Sequence, residues 1–122
     1  MVSALLILNA CQEEETSAGT EDLILGTWLL DKATKNGRET ESLTDLVYEF
    51  MDEGVLYTNI TGAREEYKYE IEENQVIQRE GSLDLDYTIN SLTDSNLVIS
   101  MTLRKINFHI YLNKDFEAAT EE

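Results

Sequence analysis

The chain is 122 residues long, and its 25 Asp and Glu outnumber nine Lys and Arg to give a net charge of −16. That balance excludes nucleic acid as a partner, because such binding rests on neutralising phosphates with basic side chains, and it excludes peripheral attachment to anionic lipid headgroups. With one cysteine there is no disulfide within the chain, so a single domain of this size has to be held by packing.

The chain opens on an apolar run, Ala4-Leu5-Leu6-Ile7-Leu8. It is too short to span a bilayer, which needs about 20 residues, but it suits the end of a signal-peptide core. No Lys or Arg precedes it, and residues 1–10 are few against a leader of roughly 15–30, so the true start is expected upstream. Leu8-Asn9-Ala10-Cys11 resembles a bacterial lipobox, in which the cysteine is acylated and the chain is cut just before it. The resemblance implies that residues 1–10 are a leader and that Cys11 is a membrane anchor. Two or more acyl chains make such attachment stable. Gln12-Glu13-Glu14-Glu15 resembles the surface-export signal of Bacteroidota-type lipoproteins, which implies an outer-membrane protein exposed at the cell surface, the alternative being the periplasmic face. By residue chemistry alone the segment is a self-repelling, solvated linker, and residues 11–22 are expected to form an acidic tether. Five acids lie in 12–22 and three in the tail 117–122, leaving 17 acids and all nine bases in 23–116.

From residue 23 the apolar pattern has a period of two. Leu83, Leu85, Tyr87 and Ile89 alternate with polar residues, as do Leu97, Ile99, Met101 and Leu103, and then Ile106, Phe108, Ile110 and Leu112. Each run marks a strand with one dry face. Turn signals separate the runs at Asp52-Glu53-Gly54, Thr61-Gly62-Ala63, Glu73-Asn74, Glu80-Gly81-Ser82 and Thr93-Asp94-Ser95-Asn96. The predicted strands are 24–32, 45–51, 54–60, 65–72, 75–80, 83–91, 96–103 and 106–113. Short turns make consecutive strands antiparallel neighbours, and closure into a barrel removes exposed edges. The expected fold is all-β: an eight-stranded antiparallel up-and-down meander barrel over 23–116. The one long connection, residues 33–44, is expected to be a loop with a short helical turn near Ser42-Leu43, where Lys32, Lys35 and Arg38 cluster in an otherwise acidic domain.

Gly26-Thr27-Trp28 at the head of the meander resembles the Gly-x-Trp signature of the lipocalins. Leu46-Val47-Tyr48-Glu49-Phe50 with Asp52-Glu53-Gly54-Val55-Leu56-Tyr57, and Tyr87-Thr88-Ile89 with Leu92 to Ser100, are similar to segments of small lipocalin-like lipoproteins. The resemblance covers about residues 23–113. It implies that Trp28 plugs one barrel end with Gly26 giving room beside it, and that a late-strand arginine, Arg104, stacks on the indole. It also implies a non-enzymatic binding protein, whose short strands here enclose a shallow interior.

No phosphate-cradling Gly loop, Gly-x-Ser-x-Gly elbow or His-Glu-x-x-His occurs. One histidine, His109, and one cysteine cannot build a zinc set, so no metal and no cofactor are expected. Asp84 and Asp86 share a strand face and are expected on a solvated surface. Tyr48, Phe50, Tyr57, Tyr67, Tyr69, Tyr87 and Phe108 are candidate inward residues. They either fill the core or line a small mouth for a ligand with an apolar body and an acidic end, met by Lys35 or Arg38. The rival reading is a packed interaction lipoprotein that binds a protein partner through its loops. Either way the chain is expected to be a monomer.

Overall fold

The computed structural model describes residues 19–117, so the leader, Cys11 and the Gln12–Glu15 cluster lie outside the described residues. Nine strands follow in order: β1 (Gly26–Lys35), β2 (Arg38–Thr40), β3 (Val47–Met51), β4 (Val55–Thr58), β5 (Glu65–Glu72), β6 (Gln75–Arg79), β7 (Leu85–Leu92), β8 (Asn96–Leu103) and β9 (Ile106–Lys114). Each of β3 to β8 pairs antiparallel with the next, and β1 pairs with both β3 and β9. The sheet therefore closes into the expected eight-stranded up-and-down barrel. The ninth strand, β2, lies outside that ring and pairs only with the far end of β1.

Beta2 is where the sequence reading falls short. The expected loop over 33–44 is largely a hairpin, because Asn36 (φ 52°) and Gly37 (φ 86°) make a two-residue turn with both residues left-handed. Lys35 pairs with Arg38 across it. The Asn36 N–H donates to the Asn107 carbonyl at 2.7 Å and its Oδ1 accepts from the Asn107 N–H at 3.0 Å, which fastens the hairpin to β9. Residues 41–45 keep a short turn, with Thr44 N–H bonded to the Glu41 carbonyl at 3.2 Å.

Two bulges re-phase the dry face. In β1 the register slips between Leu30 and Lys32, so the inward set moves from even Trp28 to odd Ala33. In β7 it slips between Ile89 and Ser91, so Leu92 packs inward after Leu85 and Tyr87. The resulting core is continuous and rich in rings, with Trp28, Tyr48, Tyr67, Tyr87 and Phe50 all fully buried.

The two barrel ends differ in content. The end holding Trp28 also holds the start of β1, the β3–β4, β5–β6 and β7–β8 turns, and the end of β9. A short helical segment, 19–23, precedes Ile24, which is fully buried in the core. The opposite end holds the β1–β2 hairpin, the 59–64 and 80–84 connections and the β8–β9 turn.

Candidate functional site

Trp28 seals its end of the barrel. Its indole N–H donates to the Ile24 carbonyl at 2.8 Å, which ties the plug to the segment that covers it. Gly26 (φ 121°) leaves the room that the side chain of Lys114 fills. A Cβ at residue 26 would stand 2.6 Å from the Lys114 Cε. The Lys114 Nζ lies 4.8 Å from the Trp28 ring centre and donates to the Leu25 carbonyl at 2.6 Å. Desolvation lowers the Lys114 pKa.

The cation over the indole is therefore Lys114, not Arg104 as expected. The β1–β9 closure sets Trp28 directly opposite Lys114. Arg104 sits exposed in the β8–β9 turn at the other end, where it and Lys105 both take left-handed backbone conformations (φ 55° and 69°).

Six of the seven candidate inward aromatic residues are buried: Tyr48, Phe50, Tyr67, Tyr69, Tyr87 and Phe108. They pack on one another, with Phe50 edge-on to Tyr69 at 5.0 Å and Tyr48 edge-on to Tyr87 at 5.6 Å between ring centres. Tyr57 is the exception and a correction. Its neighbours Leu56 and Thr58 point inward, because β4 pairs Leu56 with Phe50 and Thr58 with Tyr48. Tyr57 therefore faces out, where Arg64 stacks on it at 4.2 Å and forms an ion pair with Glu49.

A buried polar chain runs through this aromatic core. The Tyr48 hydroxyl donates to the Tyr87 hydroxyl at 3.0 Å, which donates to Gln78 Oε1 at 2.8 Å. Gln78 Nε2 in turn donates to the Leu83 carbonyl at 2.8 Å. Gln78 is wholly buried, and among the described residues no buried side-chain polar atom lacks a partner. Burial raises the pKa of Tyr48 and of Tyr87 well above the ordinary phenol value, and Tyr69 is pushed up to about 12 by burial and then by the charge of Asp52. These hydroxyls stay protonated as hydrogen-bond donors rather than acting as bases.

The same chain leads to the far end, where, of the two alternatives of a filled core and a small tyrosine-lined mouth, the rings lie packed beneath a loop. Loop 80–84 crosses Tyr67, and a Cβ on Gly81 would stand 2.3 Å from the Tyr67 ring. Glu65 holds the loop from outside: Oε2 accepts from the Ser82 N–H at 3.0 Å, and Oε1 accepts from the Ser82 and Tyr67 hydroxyls, each at 2.7 Å. The Tyr67 hydroxyl, and then Ser82, hold the Glu65 pKa below the usual carboxylate range. Leu43, Ile60, Leu83 and Ile106 pack partly buried against the core. Lys35 and Arg38 stand exposed on the β1–β2 hairpin and do not reach the interior.

The roles of Gln78, Glu65 and Lys114 were not read from the sequence. Gln78 carries the one weak signal, an even position in phase with the buried Val76. Grooves lie on the outside. One of about 470 Å³ runs at the Trp28 end between residues 21–25, the Asp52–Gly54 turn and Tyr69–Ile71. Another, of about 520 Å³, opens where β7 and β8 part. Among the described residues no group of three or more His, Cys, Asp or Glu is placed to hold a metal ion.

A family model described as a lipocalin-like domain matches residues 24–99. No curated protein and no solved structure matches the chain.

Proposed function

The chain belongs to the lipocalin-like domain family, and from that premise we propose that it is a non-enzymatic binding protein tethered to the outer membrane through acylated Cys11. It acts through its outer wall and its tether-distal end rather than by carrying a ligand in the core. The observation that carries this reading is the asymmetry of the barrel. Both described chain ends leave at the Trp28 end, and three of the four exposed large apolar side chains, Leu23, Met51 and Phe116, belong to the segments there. A lipid anchor attached at that end would leave the opposite end and the side walls facing outward. The ring-filled interior, with its internal polar partners satisfied, supports recognition at the surface.

Cell fractionation tests the anchor. The wild-type chain is expected in the membrane fraction and Cys11→Ser in the soluble fraction; retention of the variant in the membrane overturns the tether. Protease treatment of whole cells tests the export reading of Gln12–Glu15. Degradation in intact cells is expected, and full protection places the protein on the inner face. Native mass spectrometry of protein drawn from its own envelope tests where binding occurs. A bound mass that is lost when Tyr48 and Tyr87 are both changed to Phe, but kept when the surface is altered, overturns recognition at the wall.

A further inference from the structure

The ladder between β7 and β8 stops at Thr88↔Ser100, although β7 begins at Leu85 and β8 runs on to Leu103. Each strand stays bound on its other side: Leu85 to Tyr87 pair with β6, and Met101 to Leu103 pair with β9. The Arg79–Asp86 ion pair at 2.8 Å and the Gln78 bond to Leu83 hold the start of β7 toward β6. The wall therefore parts into the cleft of about 520 Å³, within the roughly 300–1,000 Å³ of small-ligand sites.

The cleft reaches the core. Leu85, Met101 and Phe108 are inward residues that line it and remain 5 %, 5 % and 7 % exposed, while Leu97 and Ile110 in the adjoining wall are fully buried. They make an apolar floor. Its sides are polar: Thr88 and Asp86 from β7, Ser100 and Thr102 from β8, and Asn107 and His109 from β9. Main-chain groups also face it. The Ile89 N–H donates toward β6, to the Asn74 carbonyl at 2.6 Å. Strand alternation then turns the N–H and C=O of Asp86, like those of Thr88, toward β8, beyond the last ladder pair.

We propose that this cleft between the parted strands β7 and β8 is a binding site for a neutral, polyhydroxylated ligand of the size of one or two sugar rings. The edges of Leu85, Met101 and Phe108 that remain exposed offer a narrow apolar strip to the C–H groups of a ring. Along the rim the Thr88 and Ser100 hydroxyls donate and accept, the Asn107 Nδ2 donates and the Asp84 carboxylate accepts, while the Thr102 hydroxyl already donates to Asn107 Oδ1 at 2.6 Å. Asp84 carries a carboxylate at the rim, while the one Arg there is already paired with Asp86, so an anionic ligand meets an opposing field. This deepens the reading of recognition at the wall and does not depend on the Cys11 anchor.

The test is a titration of the isotope-labelled full chain, followed by amide NMR, with cellobiose and lactose as probes. Glucose 6-phosphate and spermidine serve as charge controls. The expected result is saturable shifts confined to residues 84–88, 100–102 and 107–109, at millimolar affinity with the disaccharides. Thr102→Trp, which fills the cleft, should weaken binding by about tenfold or more, equivalent to about 1.4 kcal/mol. Asp84→Ala, at an exposed position, should weaken it while leaving the spectrum folded, and it keeps the test decisive if the larger substitution unfolds the chain. The proposal is overturned if neither disaccharide produces saturable shifts, if a charged control binds the cleft more tightly, or if a folded cleft variant binds unchanged. Disaccharide-induced shifts confined to the 59–64 or 104–105 loops would overturn the cleft while leaving recognition at the surface intact.

Discussion

The two ends of the barrel are closed by different physics. At one end a single indole is buried outright, its N–H satisfied by the Ile24 carbonyl and its face covered by Lys114. At the other a polar loop is drawn down from two sides, by Glu65 from outside and Gln78 from within. An apolar plug contributes through area removed from water and has no pH dependence of its own. A hydrogen-bonded clamp contributes less, because its groups exchange partners with water, and it responds to acid. The distal end is thus the one that responds to acid through a carboxylate, whereas the Trp28 end carries its pH dependence in Lys114, whose pKa desolvation lowers.

Breaking the plug should have the largest effect. Trp28→Ala is expected to cost about 3–5 kcal/mol, read from the urea midpoint; a loss below about 1 kcal/mol would mean the indole is not what seals that end. Breaking the clamp from inside comes next. Gln78→Leu strands the Tyr87 hydroxyl and the Leu83 carbonyl, at about 1–3 kcal/mol, and should increase amide exchange across 80–84 more than at the Trp28 end. Uniform exchange across both ends would contradict a local clamp. Gly81→Ala drives a methyl into the Tyr67 ring and is expected to cost about 1–3 kcal/mol; an unchanged melting temperature would show that the loop lifts freely. At the same end, replacing Arg104-Lys105 with Asn-Gly should stabilise the protein by about 1 kcal/mol. It relieves two left-handed residues in a two-residue hairpin turn, and a decrease in stability would refute that account.

The smallest effect is the sharpest discriminator between the ends. The Glu65 carboxyl titrates below its unfolded value of about 4.3. Its contribution is complete above that pH and lost as the pH falls through the folded value. Thermal melts of wild type and Glu65→Gln should therefore differ near neutrality and converge in acid. A gap that does not narrow at all as the pH falls below the unfolded value of about 4.3 would show that the carboxylate charge is not what the clamp uses.

Much of this barrel was legible in the chain because a half-buried strand writes itself as alternation. β5 and β8 fall on the residues predicted, 65–72 and 96–103, and the other barrel strands are displaced by up to three residues at their ends. The displacement in β1 has a readable cause: Asn36-Gly37 is a hairpin signal that lay inside the supposed loop. Tyr57 had no such signal. Val55, Leu56 and Tyr57 are apolar in succession, so alternation alone leaves the phase of β4 open, and only pairing with Tyr48 and Phe50 turns Leu56 and Thr58 inward. Arg104 and Lys114 are both cations near the ends of late strands, and local sequence does not say which will lie beside a tryptophan some 80 residues earlier.

The sequence by itself determined the element type of the barrel wall, the strand count of the closed meander and six of its seven candidate inward rings, because each follows from alternation between neighbours in the chain. Only the tertiary structure decided which cation covers Trp28, which polar residues are buried with the tyrosines, and where the wall between β7 and β8 parts. Those features depend on register between strands and on the β1–β9 closure, which joins residues from the two ends of the barrel sequence. A shift of one residue in that register reverses which side chains face inward, and local sequence encodes it only through the sum of the packing it permits.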